Sequence, residues 1–352
     1  MWYNIILSSI TAFLVTFLSI PSIIAIADAK HLYDEPGARK SHNTNVATLG
    51  GLAIFAGFIF SISFWTDFSL LPKLQYVFCG LIVLFFFGIK DDIIALSASK
   101  KAIGQLVAAF VVVIWGDVRI SSFSGIFGIY ELNYVFSVIF SIFTIFIIVN
   151  AYNLIDGING LSGSFGIIAA STFGAWFLVF DSQSQNAIVA FSLVGALFAF
   201  LRFNVTPAKI FMGDTGSLIL GFILAIFAVE FIELNEANTS IYHLKSGPIF
   251  AISVLFIPLI DLLRVFLMRV LRKKSPFSPD KSHIHHMFLK IGLSHTKATF
   301  ILSMISVLFI TIATALDKIG NYLLLAILVL IYMALILVVK KISERKKQLE
   351  NN

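Results

Sequence analysis

"YVFSVIFSIFTIFIIVNAYNLIDGING", residues 134–160, is an apolar run that ends in a polar cluster. Its first seventeen residues carry no charge, and its end sets Asn150, Asn153, Asp156 and Asn159 three residues apart with Gly157 and Gly160 between and beyond them. An uncharged stretch of about 20 residues is long enough to cross a bilayer as a helix. The polar cluster therefore lies where a membrane helix meets water. Composition extends that reading to the whole chain. Of 352 residues, 59% are hydrophobic and 12% charged, against about 25% charged in a soluble domain. The chain reads as an integral membrane protein.

Eleven apolar runs are expected as membrane helices: 4–27, 49–66, 73–89, 102–117, 132–150, 161–180, 187–203, 216–233, 248–270, 298–315 and 321–339. The first has an Ala25-Ile26-Ala27 end that imitates a cleavage site. No positive charge precedes it and its apolar part is too long for a signal peptide, so a retained helix is expected. With eleven crossings the loops alternate between two sides. One side, with its boundary residues, holds 20 Lys and Arg; the other holds Lys73, Arg119, Lys245 and Lys318; Arg264 lies within a run. The positive-inside rule then puts the N-terminus outside and the C-terminus in the cytoplasm. This distribution also accounts for the net charge of +6 and the pI of 9.3 without nucleic acid, which would require a basic face with reading elements. Cys79 is the sole cysteine, so no internal disulfide forms. No repeat of fixed period is evident, and residues 1–339 read as one all-α membrane domain followed by a basic tail, 340–352.

The polar motifs fall on the basic side. "FFFGIKDDIIALSASKK" closes the third run with Asp91-Asp92; Asp156 follows the fifth; "RFNVTPAKIFMGDTGS" places Asp214 after the seventh; "SPFSPDKSHIHHMF" places His283, His285 and His286 after the ninth. Adjacent carboxylates repel unless a cation sits nearby. Carboxylates with Asn carbonyls are oxygen ligands suited to Mg²⁺, usually with substrate phosphate completing the shell. Lys100, Lys101 and Lys209 are candidates to meet phosphate oxygens. The pattern suggests Mg²⁺-assisted phosphoryl chemistry at the cytoplasmic surface. Plainer readings stand beside it. Asp91-Asp92 also suits a solvated helix end. "FMGDTGS" also suits a turn in which Asp214 or Thr215 caps the next helix, and it lacks the spacing of a P-loop. "HIHH" has no evident fourth ligand for zinc. Asp261 and Arg264, at i,i+3 in the ninth run, suit mutual neutralisation.

Taken in order, "DEPGARKSHNTNVATLGG" (34–51), "GIKDD" (88–92), "NAYNLIDGINGLSG" (150–163), "FNVTPAKIFMGDTGS" (203–217) and "SPDKSHIHH" (278–286) resemble the polyprenyl-phosphate N-acetylhexosamine-1-phosphate transferases. These multi-pass enzymes begin O-antigen, teichoic acid, capsule and peptidoglycan lipid intermediates. "HIHH" resembles the branch that uses UDP-N-acetylglucosamine or a related UDP-N-acetylamino sugar. The resemblance implies transfer of the sugar 1-phosphate to undecaprenyl phosphate with release of UMP. It also implies Mg²⁺, with Mn²⁺ as the alternative, and location in the cytoplasmic membrane; it leaves a homodimer open. It implies Asp214 as main metal ligand, Asp91 as base or, in a two-step scheme, as nucleophile, Asp92 in support of Asp91 or of the metal, and Phe211 as a stacking partner for uracil. Asn153 and Asp156 are implied near nucleotide or metal, and Asn204 as a brace of the nucleotide pocket. Lys100 or Lys101 and the three histidines are implied as contacts to diphosphate or sugar. One departure stands out: the family usually has Asp where this chain has Asn159. The competing expectations are a transporter or flippase of an anionic lipid or nucleotide sugar, and an inactive scaffold.

Overall fold

The computed structural model describes residues 2–34, 46–180, 185–237, 242–273 and 282–351. Most of the first family-like stretch (residues 35–45) and residues 278–281 of the last lie outside the described residues.

The chain is an all-α integral membrane protein. Every one of the eleven apolar runs is helical: α1 (Trp2–Lys30), α2 (Gly50–Trp65), α3 (Leu74–Ile93), α4 (Ala98–Ile114), α5 (Tyr134–Ile155), α6 (Leu161–Phe180), α7 (Gln185–Asn204), α8 (Gly213–Glu236), the pair α9 (Gly247–Val254) and α10 (Phe256–Leu271), α12 (His295–Ala315) and α13 (Asn321–Asn351), with short α11 (Ile284–Lys290) between α10 and α12. Among the described residues, seven helices are long and apolar enough to cross a membrane unaided: α1, α5, α6, α7, α8, α12 and α13. The run 248–270 is not one straight span. It bends by 81° between α9 and α10, at Leu255, whose φ of −104° and ψ of 15° leave the helix. Pro258, two residues into α10, cannot donate the backbone hydrogen bond that would continue α9. Past residue 339, α13 continues through the basic stretch to Asn351.

α8 is the axis of the bundle. It is apolar on all sides and buried along nearly its whole length, as a helix surrounded by helices must be. It packs against α2, α3, α5, α6 and α9. Its far end is acidic and partnered: Glu230 pairs with Lys73 at 2.9 Å, and Glu233 accepts from the Ser121 backbone N–H at 2.7 Å and from its hydroxyl. Its near end begins with Asp214, about 24 Å away at 1.5 Å per residue. Away from α8, buried hydroxyls join helices where lipid offers no partner. Ser61 donates to the Ser8 carbonyl at 2.7 Å and meets Ser192 at 3.0 Å, linking α2 to α1 and α7.

Two features fix the start of α8. A two-residue antiparallel pair, β1 (Tyr33–Asp34) and β2 (Val46–Ala47), leads into α2. From there Ala47 accepts from Phe211 N–H at 2.7 Å, while Gly50 and Gly51 donate to Phe211 and Met212 carbonyls at 2.9 and 2.8 Å. The second feature is a close backbone approach of α3. A Cβ on Gly88 would lie 2.4 Å from Thr215 Cα. Gly88→Ala is therefore expected to push α3 off α8, at a cost of about 1–3 kcal/mol. Thermal unfolding in detergent checks this; an unchanged midpoint would contradict so tight a contact.

Candidate active site

Four carboxylates and one lysine meet where the ends of α3, α4, α5 and α8 converge. Asp91 and Asp92 occupy the last turn of α3. Asp92 spends both oxygens on the first amides of α8: Oδ1 accepts from Asp214 N–H at 2.6 Å, and Oδ2 from Thr215 N–H at 3.1 Å and its hydroxyl at 2.5 Å. The helix is thus capped from outside. Neither Asp214 nor Thr215 caps it, contrary to the local reading of "FMGDTGS". Helix N-termini bear unpaired N–H groups and partial positive charge, and a carboxylate satisfies both. Gly213, at φ 72°, makes the turn, and a Cβ there would strike Asp92 Oδ1 at 2.7 Å and Thr48 O at 2.2 Å.

The cap sets Asp214 among polar partners. Its Oδ1 accepts from Asn153 Nδ2 at 2.5 Å and lies 3.3 Å from Lys101 Nζ. Asn153 Nδ2 also donates to Ser217 Oγ at 2.9 Å, one turn along α8. Lys101 makes its closer ion pair with buried Asp91, which also accepts from Leu96 N–H at 2.6 Å. Lys101 therefore bridges Asp91 and Asp214. Asn150 is turned aside, donating to Gln105 at 2.7 Å. Asp156 ends α5 and is hydrogen-bonded by Ser162. Burial pushes its carboxyl up to about 7, with the charge of Asp214 adding to the shift. That value leaves it partly protonated near neutrality until a cation arrives.

The loop after Asp156 is braced from α7. Asn204 accepts from Gly160 N–H at 2.6 Å and donates to Ile210 O at 2.8 Å. It thus joins the 156–160 loop to the strip that carries Phe211. Phe211 is half-buried on that strip. Asn159 faces the other way: its Nδ2 donates to Thr206 Oγ1 at 3.1 Å, its N–H to His295 Nδ1 at 3.4 Å, and its carbonyl accepts from Thr299 at 2.9 Å. Lys100 and Lys209 are both exposed and make no ion pair with the four carboxylates; Lys209 instead borders a groove between α1 and α7.

Across the loop stand the histidines. His283 Nδ1 meets Asp261 Oδ2 at 2.9 Å, and its ring lies parallel to that of His285 at 5.8 Å. His285 packs on His286 at 4.2 Å and against Gly157, where a Cβ would come within 2.2 Å of His285 Nε2. Neither nitrogen of His285 has a hydrogen-bond partner among the described residues. Burial first, then His286, pulls its pKa down to about 3, so it is a neutral imidazole at physiological pH rather than a cation.

These residues lie largely within or beside a recognised sequence family. Residues 74–232 match the model of glycosyl transferase family 4. An undecaprenyl-phosphate alpha-N-acetylglucosaminyl 1-phosphate transferase of Haemophilus influenzae is 31% identical over 312 residues, covering 87% of this chain and 85% of the relative. The chain belongs to glycosyl transferase family 4. Proteins bearing the same name in Escherichia coli K12 and Salmonella typhimurium are 27% identical over 309 residues and 28% over 306. Those alignments cover 86% and 85% of this chain, and 81% and 79% of the relatives.

For this family 4 chain, the residue that sequence reasoning undervalued is Asp261. Besides Arg264, at 2.7 Å, it accepts from His283, from Ile284 N–H at 3.0 Å and from Tyr332 at 3.2 Å. It is fully buried and holds the start of α11, hence the histidines, in place. The only advance signal was a carboxylate inside an apolar run, where one is costly without a purpose.

Proposed function

We propose that this protein transfers N-acetylhexosamine 1-phosphate, N-acetylglucosamine 1-phosphate in the first instance, from its UDP-sugar to undecaprenyl phosphate, releasing UMP. The observation that carries the reading is the Asp91–Lys101–Asp214–Asn153 constellation at one end of a membrane bundle, in a chain whose relatives are named for that acceptor. A lipid-phosphate oxygen attacks the β-phosphorus of the donor. The bond from that phosphorus to the bridging oxygen breaks, and UMP leaves with that oxygen. Such transfers need positioning and charge stabilisation more than covalent help.

Asp91 holds Lys101 beside Asp214, leaving the ammonium to face the diphosphate. We assign Asp91, by the family resemblance, as the base toward the lipid phosphate, whose second pKa is about 6. Asp92 acts through α8, fixing where Asp214 points. Phe211 offers a ring face to uracil, Asn204 keeps its strip in register with the 156–160 loop, and neutral His285 wedges that loop from behind. Among the described residues no three His, Cys, Asp or Glu side chains form a ready-made cage. Mg²⁺ needs none, since it binds through one or two carboxylates plus substrate phosphates. The partly exposed carboxylate of Asp214, with further carboxylates nearby and a single lysine between them, fits that donor set; Mn²⁺ has the same preference. Bound with the diphosphate, the metal supplies charge neutralisation on the transferring phosphoryl group.

In the membrane we place the N-terminus outside and this site at the cytoplasmic face, a reading supported by the 20-to-4 distribution of Lys and Arg. Eleven crossings, with α9–α10 as one broken crossing and α2, α3 and α4 crossing within the bundle, reconcile the helices with termini on opposite sides. Assay of purified protein with a panel of UDP-sugars and undecaprenyl phosphate, with and without Mg²⁺, tests the reaction. UMP and a sugar-pyrophosphoryl lipid are expected only with the metal. Vesicle flux of lipid or nucleotide sugar without UMP would instead identify a transporter.

The Asn159 departure is expected to matter little. Its side chain bonds to Thr206 rather than to the carboxylates, and the Thr206 hydroxyl can turn to donate to an Asp. Asn159→Asp is expected to change stability by less than about 0.5 kcal/mol and turnover by no more than about twofold, across the donor panel. A change of preferred sugar would show that position 159 reaches the donor.

A further inference from the structure

A groove of about 940 Å³ lies away from the carboxylates, on the flank formed by α1 and α7. These helices touch where Gly195 meets Ser9; a Cβ on the glycine would lie 2.0 Å from Ser9 O. Ile10, Phe13, Leu14, Phe17, Phe198 and Leu201 line the groove, which runs along the two helices from that contact. Ile10, Leu14 and Phe198 leave about half their surface uncovered by protein. Both helices are long and apolar enough to span a membrane, so this opening faces lipid. At its end the lining changes to Arg202, Thr206 and Lys209. Both cations are exposed, and neither pairs with an acid among the described residues.

We infer that this groove is a binding site for an anionic phospholipid, with acyl chain between α1 and α7 and phosphate on Arg202 and Lys209. An apolar channel that opens to the bilayer and ends in two unpaired cations matches an amphiphile with a negative head, and interfacial basic residues favour such lipids. The occupant is a bystander lipid rather than the reaction's acceptor: none of Asp91, Lys101, Asp156 and Asp214 lines the groove, so a phosphate seated on Arg202 and Lys209 is not at the reacting centre. It is nonetheless coupled to that centre. The two cations flank the segment in which Asn204 braces Gly160 and Thr206 receives Asn159. A phosphate across Arg202 and Lys209 steadies that segment and, through it, the loop beside Asp156.

Native mass spectrometry and thermal unfolding of the detergent-purified full chain, titrated separately with phosphatidylglycerol and phosphatidylcholine, test the site. Wild type is expected to retain phosphatidylglycerol at least about tenfold more tightly than phosphatidylcholine and to unfold at a higher temperature with it. Arg202→Gln/Lys209→Gln is expected to lose that preference, while Lys340→Gln/Lys341→Gln, the same charge change on α13, keeps it. Leu14→Trp, which fills the groove at a half-exposed position, is expected to lower retention with both cations intact, so a misfolded double variant would not decide the matter alone. Equal retention of the two lipids by wild type, an unchanged preference in the double variant, or one-for-one displacement of phosphatidylglycerol by undecaprenyl phosphate would each overturn the assignment.

Discussion

Asp214→Asn is expected to lower turnover by about three orders of magnitude while leaving the fold nearly as stable as wild type. The substitution keeps the shape of the side chain and an oxygen to accept from Asn153, so the hydrogen bond at 2.5 Å has a successor. What disappears is the negative charge that faces Lys101 at 3.3 Å, and with it the ligand we propose for Mg²⁺. Little stability should go with it, because Asp214 is partly exposed. The neighbouring Asp92→Asn is the control that separates roles. An amide has one acceptor oxygen where Asp92 uses two, and its NH₂ would face the amides of α8. That variant is expected to lose about 1–2 kcal/mol, as for a lost cap, and activity as well. UMP release at saturating Mg²⁺, read beside thermal unfolding, distinguishes them. Asp214→Asn within tenfold of wild type would remove Asp214 from the centre of the proposed chemistry.

How much of this was legible in advance follows from the range of the forces involved. The helices could be read because each apolar run is a local property, and all eleven runs are helical. The break at Leu255 was not legible: Pro258 marks a weak point, but the 81° bend depends on what α9 and α10 pack against. Within the site, residue types alone pointed toward phosphate and metal chemistry, and the structure brings Asp91, Asp214, Lys101 and Asn153 together. Their division of labour did not show, because it depends on partners far along the chain. Asp92 and Asp214 look equivalent as sequence, yet one is consumed by a helix end 122 positions away and the other is left partly exposed beside Asn153 and Lys101. Lys100 and Lys101 are adjacent, and only the helical phase of α4 turns Lys101 to the acids. The same holds for Asn159, whose departure from the family pattern gives no sign of its bond to Thr206.

Asp261→Asn is expected to be the most damaging single substitution outside the carboxylate cluster. Asp261 has no exposed surface, and its charge holds four groups: Arg264, His283, Ile284 N–H and Tyr332. Arg264 has a further tie to Ser282 O at 2.5 Å, which fixes its head but does not neutralise it. Losing the acid thus leaves a guanidinium with only 13% of its side chain exposed and no opposite charge among its described partners. Breaking one side of a buried pair costs about 3–5 kcal/mol. The functional consequence travels through His283. With its Nδ1 partner weakened, the His283–His285 stack loosens its hold on Gly157 and the loop bearing Asp156, and displacement of a reacting group by about 1 Å costs about a hundredfold in rate. Asp261→Leu with Arg264→Met removes both charges, and should recover the part of the stability lost to the unpaired guanidinium without recovering turnover, since the histidines still lack their anchor. A double variant that regained both would reduce Asp261 to a counter-ion for Arg264. Recovery of stability alone would show that this carboxylate, buried beyond reach of substrate, sets the position of the histidines.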